Sequence, residues 1–378
     1  MKILHVCLAS PYTEGLLYQD NMLANQNIED GHDVMVIAKC EYFEDGKPVP
    51  ISPEDRILSN GIRLVRLAYD SMLGRRSSAI FKKSKKLIVL VREFAPDTIL
   101  FHGLVSWELL NIAKYKQKHP TVKLFVDSHL RFDIADNRWH VMNIYFRLYR
   151  KILRRALPFI DKIFYTTEDA KIFLEDVYRV EEERMEFFPL GGKIIRSQER
   201  NALRELKRAE MNLAKNDILL CHTGKFDKLK RTEDVLRAFS KVPDQRLKLV
   251  ILGKIPPETK QILEPLIRAD SRVVFCGWKD GEELKAYLCA CDMYVQPGAQ
   301  SATMENAICC GAPVMLYPHV SYMAHMWGNG FFVKSQSDMV KVFKQILELP
   351  EMLEMMRENS LQLANNLLDY RIIASKLY

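Results

Sequence analysis

Two stretches in the second half of the chain hold the residue types that chemistry on a phosphorylated sugar requires. In the first, Gln296 to Ser301 form a Gly-containing loop between an apolar strand and a short helix with a single carboxylate, Glu305. A junction of this kind offers free backbone N–H groups and a positive helix end to phosphate. A carboxylate one turn into the helix accepts two hydrogen bonds from a vicinal diol such as a ribose. Glu305 is not three residues beyond a Ser301 or Thr303 cap, so a capping box does not account for it. Backbone donors from Gly298 through Gln300 to Ala302, helped by Ser301 or Thr303, would cradle phosphate or sugar hydroxyls. In the second stretch, His222 to Arg231, Gly224 allows a tight exit from a strand. Lys225 and Lys230 would close on a diphosphate as point charges. Loop lysines are ordinarily just solvated, and the site reading requires a sheet order that brings the two stretches together. Gly253 and Gly277-Trp278 end further strands on the same edge and would contact a base or ribose.

The first half offers histidines. His102 ends the strand TILFH, and His129 lies in the loop after LFV, between Asp127 and Arg131. Ligands of open α/β sheets bind outside such carboxyl ends. His102 reads equally well as a plain polar residue at a strand end. Gly15 closes the loop after the first strand. Asp133 and Asp136 fit an acceptor site or a solvated loop. His319, His325 and Trp327 follow the strand PVMLY, with Trp327 read as core.

The elements that must position these residues alternate strand with helix, which indicates α/β architecture with parallel sheets. Strands are expected at Lys2 to Leu8, Asp33 to Lys39, IRLVRL after Asn60-Gly61, TILFH and Lys123 to Val126, with a helix from about Leu16 to Glu29. After Pro189-Leu190-Gly191-Gly192 a helix from Gln198 to Lys215 precedes ILLCHTG, LKLVILG, VVFCG, MYVQP and PVMLY. The expected domains are 1–195 and 196–365, with a helix at 366–378 after a break at Leu368-Asp369.

Composition bounds the class. A chain of 378 residues favours two cores. Hydrophobic content of 48% and charged content of 27% are ordinary for a globular protein. No apolar run approaches a membrane span, and the N-terminus reads as a buried strand rather than a leader, which points to the cytoplasm. The eight cysteines show no CxxC pair and no zinc spacing, so reduced, mostly buried thiols and no metal are expected. The net charge is +7, and two basic clusters lie in the first half. Arg75, Arg76, Lys82, Lys83, Lys85, Lys86 and Arg92 occur without an acidic residue between 71 and 92. Arg147, Arg150, Lys151, Arg154 and Arg155 share one helical face. These clusters are either solvated faces or a contact with an anionic membrane or phosphorylated acceptor. No nucleic-acid module accompanies them.

Taken together, Lys225 with Lys230, LVILG253, VVFCG277, Pro297 through Glu305 to GAPVM, and in the first half MKILHV, GHDVMVIA, APDTILFHG, the His129 loop and FPLGG resemble the retaining family 4 glycosyltransferases, the group 1 transferases. The resemblance spans essentially the whole chain. It implies a GT-B fold, two Rossmann-like domains facing each other across a cleft, with the C-terminal helix crossing back to the first. It implies a nucleoside-diphosphate sugar as donor, no metal or other cofactor, and a saccharide or lipid-linked acceptor in bacterial surface polysaccharide synthesis, peripheral at the inner membrane face. Lys225 and Lys230 match the basic pair on the diphosphate, Glu305 the ribose carboxylate, Gly15 the first-loop glycine and His129 the histidine that contacts the transferring sugar. The family's second carboxylate, eight residues before Glu305, is Pro297 here, which makes donor identity the least transferable property. No GxGxxG follows the first strand, and neither a Walker A sequence nor a DxD dyad is present. The alternatives are a nucleotide-sugar epimerase of the same fold or a non-catalytic binder.

Overall fold

The computed structural model describes residues 1–378 except Ser10, Leu17, Asp45, Gly46, 71–77, Ala79, 133–140, Gln300 and Ala302, and of Val141 and Met142 it describes the backbone alone. The chain forms two compact units, Met1–Pro189 with Tyr370–Tyr378, and Leu190–Asp369. The first unit therefore ends ahead of the boundary read at 195, and the returning segment begins at Tyr370 rather than 366.

The first unit is built on β1 (Lys2–Cys7), β2 (Asp33–Lys39), β3 (Glu41–Glu44), β4 (Lys47–Pro50), β5 (Glu54–Ile57), β6 (Arg63–Leu67), β7 (Thr98–His102), β8 (Lys123–Ser128), β9 (Lys162–Tyr165) and β10 (Met185–Phe187). The sheet order is β10-β9-β8-β7-β1-β2-β6-β5, parallel except for β5. Its central strands are buried along nearly their whole length, as near-continuous apolar runs such as ILHVC and VMVIA require when helices cover both faces. The order turns back on itself between β1 and β7, so the crevice of this sheet opens beyond the carboxyl ends of those strands.

Helices α1 (Gln19–Glu29), α2 (Lys86–Phe94), α3 (Glu108–Lys118) and α4 (Phe146–Ala156) belong to this unit. The first begins at Gln19, three residues later than the apolar pattern from Leu16 implies. On α4 the face of Phe146, Tyr149, Ile152, Leu153 and Ala156 is buried, which leaves Arg147, Lys151, Arg154 and Arg155 exposed and Arg150 half-buried. Arg75 and Arg76 of the other cluster lie outside the described residues.

The second unit carries β11 (Ile218–Lys225), β12 (Leu247–Lys254), β13 (Val273–Gly277), β14 (Met293–Gln296), β15 (Val314–Leu316) and β16 (Gly330–Phe332) in one parallel sheet, β13-β12-β11-β14-β15-β16. Period-2 side chains feed two cores, with Leu219 and Cys221 on one face and Ile218 and Leu220 on the other. The helices used below are α5 (Ser197–Glu210), α6 (Thr232–Ser240), α7 (Gly281–Ala290), α8 (Thr303–Cys309) and α9 (Met352–Leu363). The first of these stops at Glu210 rather than Lys215, because Asn212 turns left-handed at φ 53°. The carboxylate of Asp292 anchors it, accepting from Arg204, from Arg208 Nη1 at 2.9 Å and from Leu219 N at 2.7 Å.

The last helix, α10 (Tyr370–Ser375), is part of the first unit, where Tyr370, Ile373, Ala374 and Leu377 pack with Leu23, Leu100 and Phe164. All eight cysteines are free, and six are buried. No described helix is long and apolar enough to cross a membrane.

Candidate functional site

In the second unit the strand order reverses between β11 and β14, which pair directly through Leu220–Met293 and Cys221–Tyr294. The loops leaving these two strands carry Lys225–Arg231 and Pro297–Ser301, so the topology itself puts the two chemical stretches side by side. The contact is close. Ala299 N donates to Leu229 O at 2.9 Å, Lys230 Nζ donates to Ala299 O at 2.8 Å, and Arg231 Nη1 donates to Pro297 O at 3.2 Å.

Three glycines make this approach possible. A Cβ on Gly298 would stand 2.2 Å from Leu229 O. One on Gly253, at φ +147°, would stand 1.8 Å from Gly224 O of the neighbouring strand. Gly224, at φ +138°, lies beneath the Lys230 side chain, whose Cε would be 3.0 Å from an added Cβ. Gly277 has φ +70° and open space around it, so its role is the turn alone.

Lys230 is buried, and burial pulls its ammonium below the ordinary lysine range, against the opposing pull of Asp227 and Glu305. Glu305 lies in the first turn of α8, buried, with His325 Nε2 3.7 Å from its Oε1. A buried cation and a buried carboxylate thus act on each other where the two loops meet. Lys225, by contrast, is exposed at the end of β11.

The loop after β14 is shaped from beneath. Gln296 Oε1 accepts from Tyr294 Oη and Ser301 Oγ, each at 2.9 Å, while Tyr322 Oη donates to Gly298 O at 2.9 Å. Of the described backbone donors expected from Gly298 to Ala302, one is already taken within the protein. Ala299 N–H is committed to Leu229 O and Met304 N–H to Ser301 O. Gln300 and Ala302 lie outside the described residues. Thr303 opens α8.

Trp278 is 66% exposed, with Lys254 Nζ 5.7 Å from its ring centroid. Trp327, read from the sequence as core, is instead 59% exposed, because it falls in the turn held by Trp327 N donating to Asn329 Oδ1 at 2.7 Å. His319 is also exposed; its ring Nδ1 accepts from Ser321 N at 3.4 Å and caps the turn Val320–His325.

Sequence reasoning passed over His222. It is buried, donates from Nδ1 to Val295 O at 2.7 Å and accepts at Nε2 from Thr232 Oγ1 at 2.9 Å. It therefore ties β11 to β14 and to the start of α6. Burial lowers its pKa to about 4, so it is neutral. A polar residue in the middle of an apolar strand was the available signal.

In the first unit His129 is exposed just beyond β8, its Nε2 4.0 Å from Asp127 Oδ2. His102, expected on the acceptor side, is buried with both ring nitrogens occupied and presents neither to a ligand. Gly15 turns at φ +73° in the loop after β1, with nothing within 4 Å of an added Cβ. Asp133 and Asp136 lie outside the described residues. Among the described residues no group of three His, Cys, Asp or Glu side chains converges as a metal site does.

Comparison with known proteins gives two family matches. The family described as glycosyl transferases group 1 matches residues 204–363, and Glycosyltransferase Family 4 matches residues 21–191. No curated protein matches in sequence. Among solved structures, sucrose-phosphate synthase from Thermosynechococcus elongatus superposes with a TM-score of 0.70 at 17% identity, over 100% of this chain and 97% of that one. Anabaena HepE in complex with UDP gives 0.70 at 16%, over 100% and 98%. WaaG, a glycosyltransferase involved in lipopolysaccharide biosynthesis, gives 0.63 at 17%, over 99% and 98%.

Proposed function

The chain belongs to the group 1 glycosyltransferases, enzymes of sugar transfer with the GT-B fold, and from that premise we propose a retaining, metal-independent enzyme that uses a nucleoside-diphosphate sugar. The observation that carries the proposal is the contact of the β11 and β14 loops, where the buried Lys230 ammonium donates to Ala299 O at 2.8 Å and is acted on by the charge of the buried Glu305. In this reading Glu305, with His325 beside it, takes the ribose hydroxyls, while Lys230 and Lys225 hold the diphosphate. Gly224, Gly253 and Gly298 let the backbone approach closely, and Trp278 offers a face to the base. HepE is described with UDP and with UDP-glucose, which supports a donor of this class here.

Transfer with retention proceeds on one face of the sugar. The bond from the anomeric carbon to the diphosphate oxygen breaks, the acceptor oxygen bonds to the same carbon, and the acceptor's proton passes to the departing diphosphate. The protein contributes placement and stabilisation of the growing negative charge, for which the buried Lys230 is suited because low local dielectric strengthens its field. His129 contributes the contact to the transferring sugar.

The acceptor in this proposal is a saccharide or lipid-linked saccharide of a bacterial surface polysaccharide. The exposed basic face of α4 and the cluster Lys83, Lys85, Lys86 and Arg92 around α2 would meet an anionic membrane. Thermal shifts with UDP-, GDP-, ADP- and CMP-sugars identify the donor by mass action. Lys230→Ala and Glu305→Ala are then expected to abolish transfer while the circular dichroism spectrum is retained. Wild-type turnover in either folded variant would sink the assignment.

A further inference from the structure

Beneath His129 runs a hydrogen-bond chain that the donor site does not use. Asp127 Oδ2 faces His102 Nδ1 at 2.6 Å, and His102 Nε2 faces His5 Nδ1 at 3.0 Å. His5 Nε2 faces Asn27 Oδ1 at 2.8 Å, and Asn27 Nδ2 donates to Tyr378 Oη at 2.9 Å. Tyr378 Oη in turn donates to the Asp30 carboxylate. The chain crosses β8, β7 and β1 to Asn27 on α1 and passes through Tyr378 to Asp30. Asp127, His102, His5 and Asn27 are all buried.

The far end of the chain fixes every proton in it. Asp30 accepts from the phenol, so the phenol oxygen accepts from the Asn27 amide nitrogen. The Asn27 amide oxygen therefore faces His5 and takes the proton on Nε2. That leaves His5 Nδ1 bare, and it must accept from His102 Nε2. The other nitrogen of His102 faces a carboxylate, which accepts only. Both nitrogens of His102 therefore carry protons, and the ring is an imidazolium.

The surroundings agree. Burial opposes the His102 charge, but the charge and hydrogen bond of Asp127 outweigh it and hold the imidazole above its usual range. Burial likewise opposes the Asp127 carboxylate, and His102 outweighs it in the opposite sense. Burial, with the His102 charge beside it, drives His5 down to about 3. The titratable groups facing His102 are His5 on β1, Asp127 on β8 and Asp20 on α1, with His129 beyond Asp127.

A buried ion pair is weak evidence for stability, since apolar side chains of similar volume often serve a core as well. What this pair does have is position. It sits at the carboxyl ends of β7 and β8, beside the β1/β7 reversal, where ligands of such sheets bind. Its outer edge reaches two loops at once, since Asp127 Oδ1 accepts Gly103 N–H at 2.9 Å and Oδ2 lies 4.0 Å from His129 Nε2. Gly103 in turn, at φ +82°, is pressed against Ala9 of the loop after β1, whose Cβ would be 3.0 Å from an added one.

We infer that His102 and Asp127 are positioning residues for sugar transfer, a buried imidazolium–carboxylate pair that sets the place and field of His129 and holds the Gly103 loop. The inference rests on the sugar-side role of His129 in the proposed function.

Full-length protein labelled with 15N-histidine tests the pair directly. At pH 7.5 His102 should show two protonated ring nitrogens and His5 a proton on Nε2 alone. A neutral His102 in the wild-type spectrum overturns the inference, whatever the variants do. Kinetics use the sugar nucleotide that stabilises the protein most in the panel above. Asp127→Asn is expected to lower kcat on the order of tenfold, the scale of a sub-ångström misplacement, with KM for the nucleotide unchanged. The double variant His102→Gln/Asp127→Asn leaves no unpaired buried charge, so it serves if the single variant fails to fold; it should show the same split. An active His129→Ala would refute the sugar-side role itself. An inactive His129→Ala beside fully active pair variants would leave that role standing and refute the positioning inference.

Discussion

Gly298→Ala isolates the contact between the loops after β11 and β14, the two that the proposed function assigns to the donor. Gly298 lies outside the left-handed region, so alanine meets no backbone penalty and the cost is steric. Its new Cβ would be 2.2 Å from Leu229 O, whereas a relaxed carbon–oxygen contact needs about 3.3 Å. The loops must separate by roughly 1 Å, the difference between the two distances. A shift of that size breaks the 2.9 Å bond from Ala299 N to Leu229 O and withdraws Ala299 O from Lys230 Nζ, now at 2.8 Å. Displacements near 1 Å cost on the order of 10²-fold in rate when they fall on groups that place a substrate. Stability should suffer less, about 1–3 kcal/mol, because a half-buried loop can yield. Gly253→Ala supplies the contrast, since its Cβ would fall 1.8 Å from a backbone oxygen between paired strands, and the second domain is expected not to fold. Calorimetric titration with the best donor, together with kcat/KM and denaturation by urea, separates the effects. If Gly298→Ala folds and transfers sugar within a few-fold of wild type, the loop–loop contact does not place the donor.

Acid should weaken the second domain. His222 and His325 are each held neutral by burial, at about 4 against 6.5 in the open chain. The unfolded chain takes up their protons first as pH falls below 6.5, so their stabilisation is full above that value and drains away towards pH 4. With two protons involved, the limiting slope is roughly 2.7 kcal/mol per pH unit. Urea midpoints that stay level from pH 6.5 to 4.5 would contradict this. His102 in the first domain has the opposite sense, because its folded value is raised; its contribution is complete below pH 6.5 and is lost on the alkaline side. For the membrane, vesicles of anionic lipid should float the protein and neutral ones should not, and exchanging Arg147, Lys151, Arg154 and Arg155 for glutamine should abolish the difference. Equal flotation on both lipids would remove the membrane role.

The proximity of the two candidate donor stretches was legible because its evidence is local. An apolar run, a glycine, two lysines and a carboxylate within a short stretch each imply a strand end or a loop, and parallel pairing of β11 with β14 joins the two stretches. What stayed hidden depends on contacts distant in sequence. Nothing near His5 announces His102, which lies 97 residues on, or shows that Asn27 and Tyr378 continue the line. The same holds for Asp292, whose arginine partners come from α5 and α9. No strand was expected between Lys39 and Asn60, yet β3 and β4 pair as a two-stranded ribbon apart from the main sheet, where Pro48 and Pro50 are tolerated. Trp327 was misread because size suggests burial, whereas here a turn sets the exposure.

Pro297 bears on how the proposed site would keep its nucleotide half while its sugar half differs from the family pattern. The position eight residues before Glu305 carries no carboxylate, and its backbone oxygen is bound by Arg231. Arg231 is left-handed at φ 55° and also holds Asp234 and Lys334 O, so it anchors the loop start to α6 and to the chain after β16. The start of the loop is therefore held in place without an acidic side chain at 297. In the proposed site Lys230, Glu305 and the close-packed glycines would read phosphate and ribose, groups shared by every donor of the class. The hydroxyls that distinguish one sugar from another would in that proposal be read by other residues. On that proposal reaction class and sugar identity would be written in different residues, which is why the second needs the donor panel.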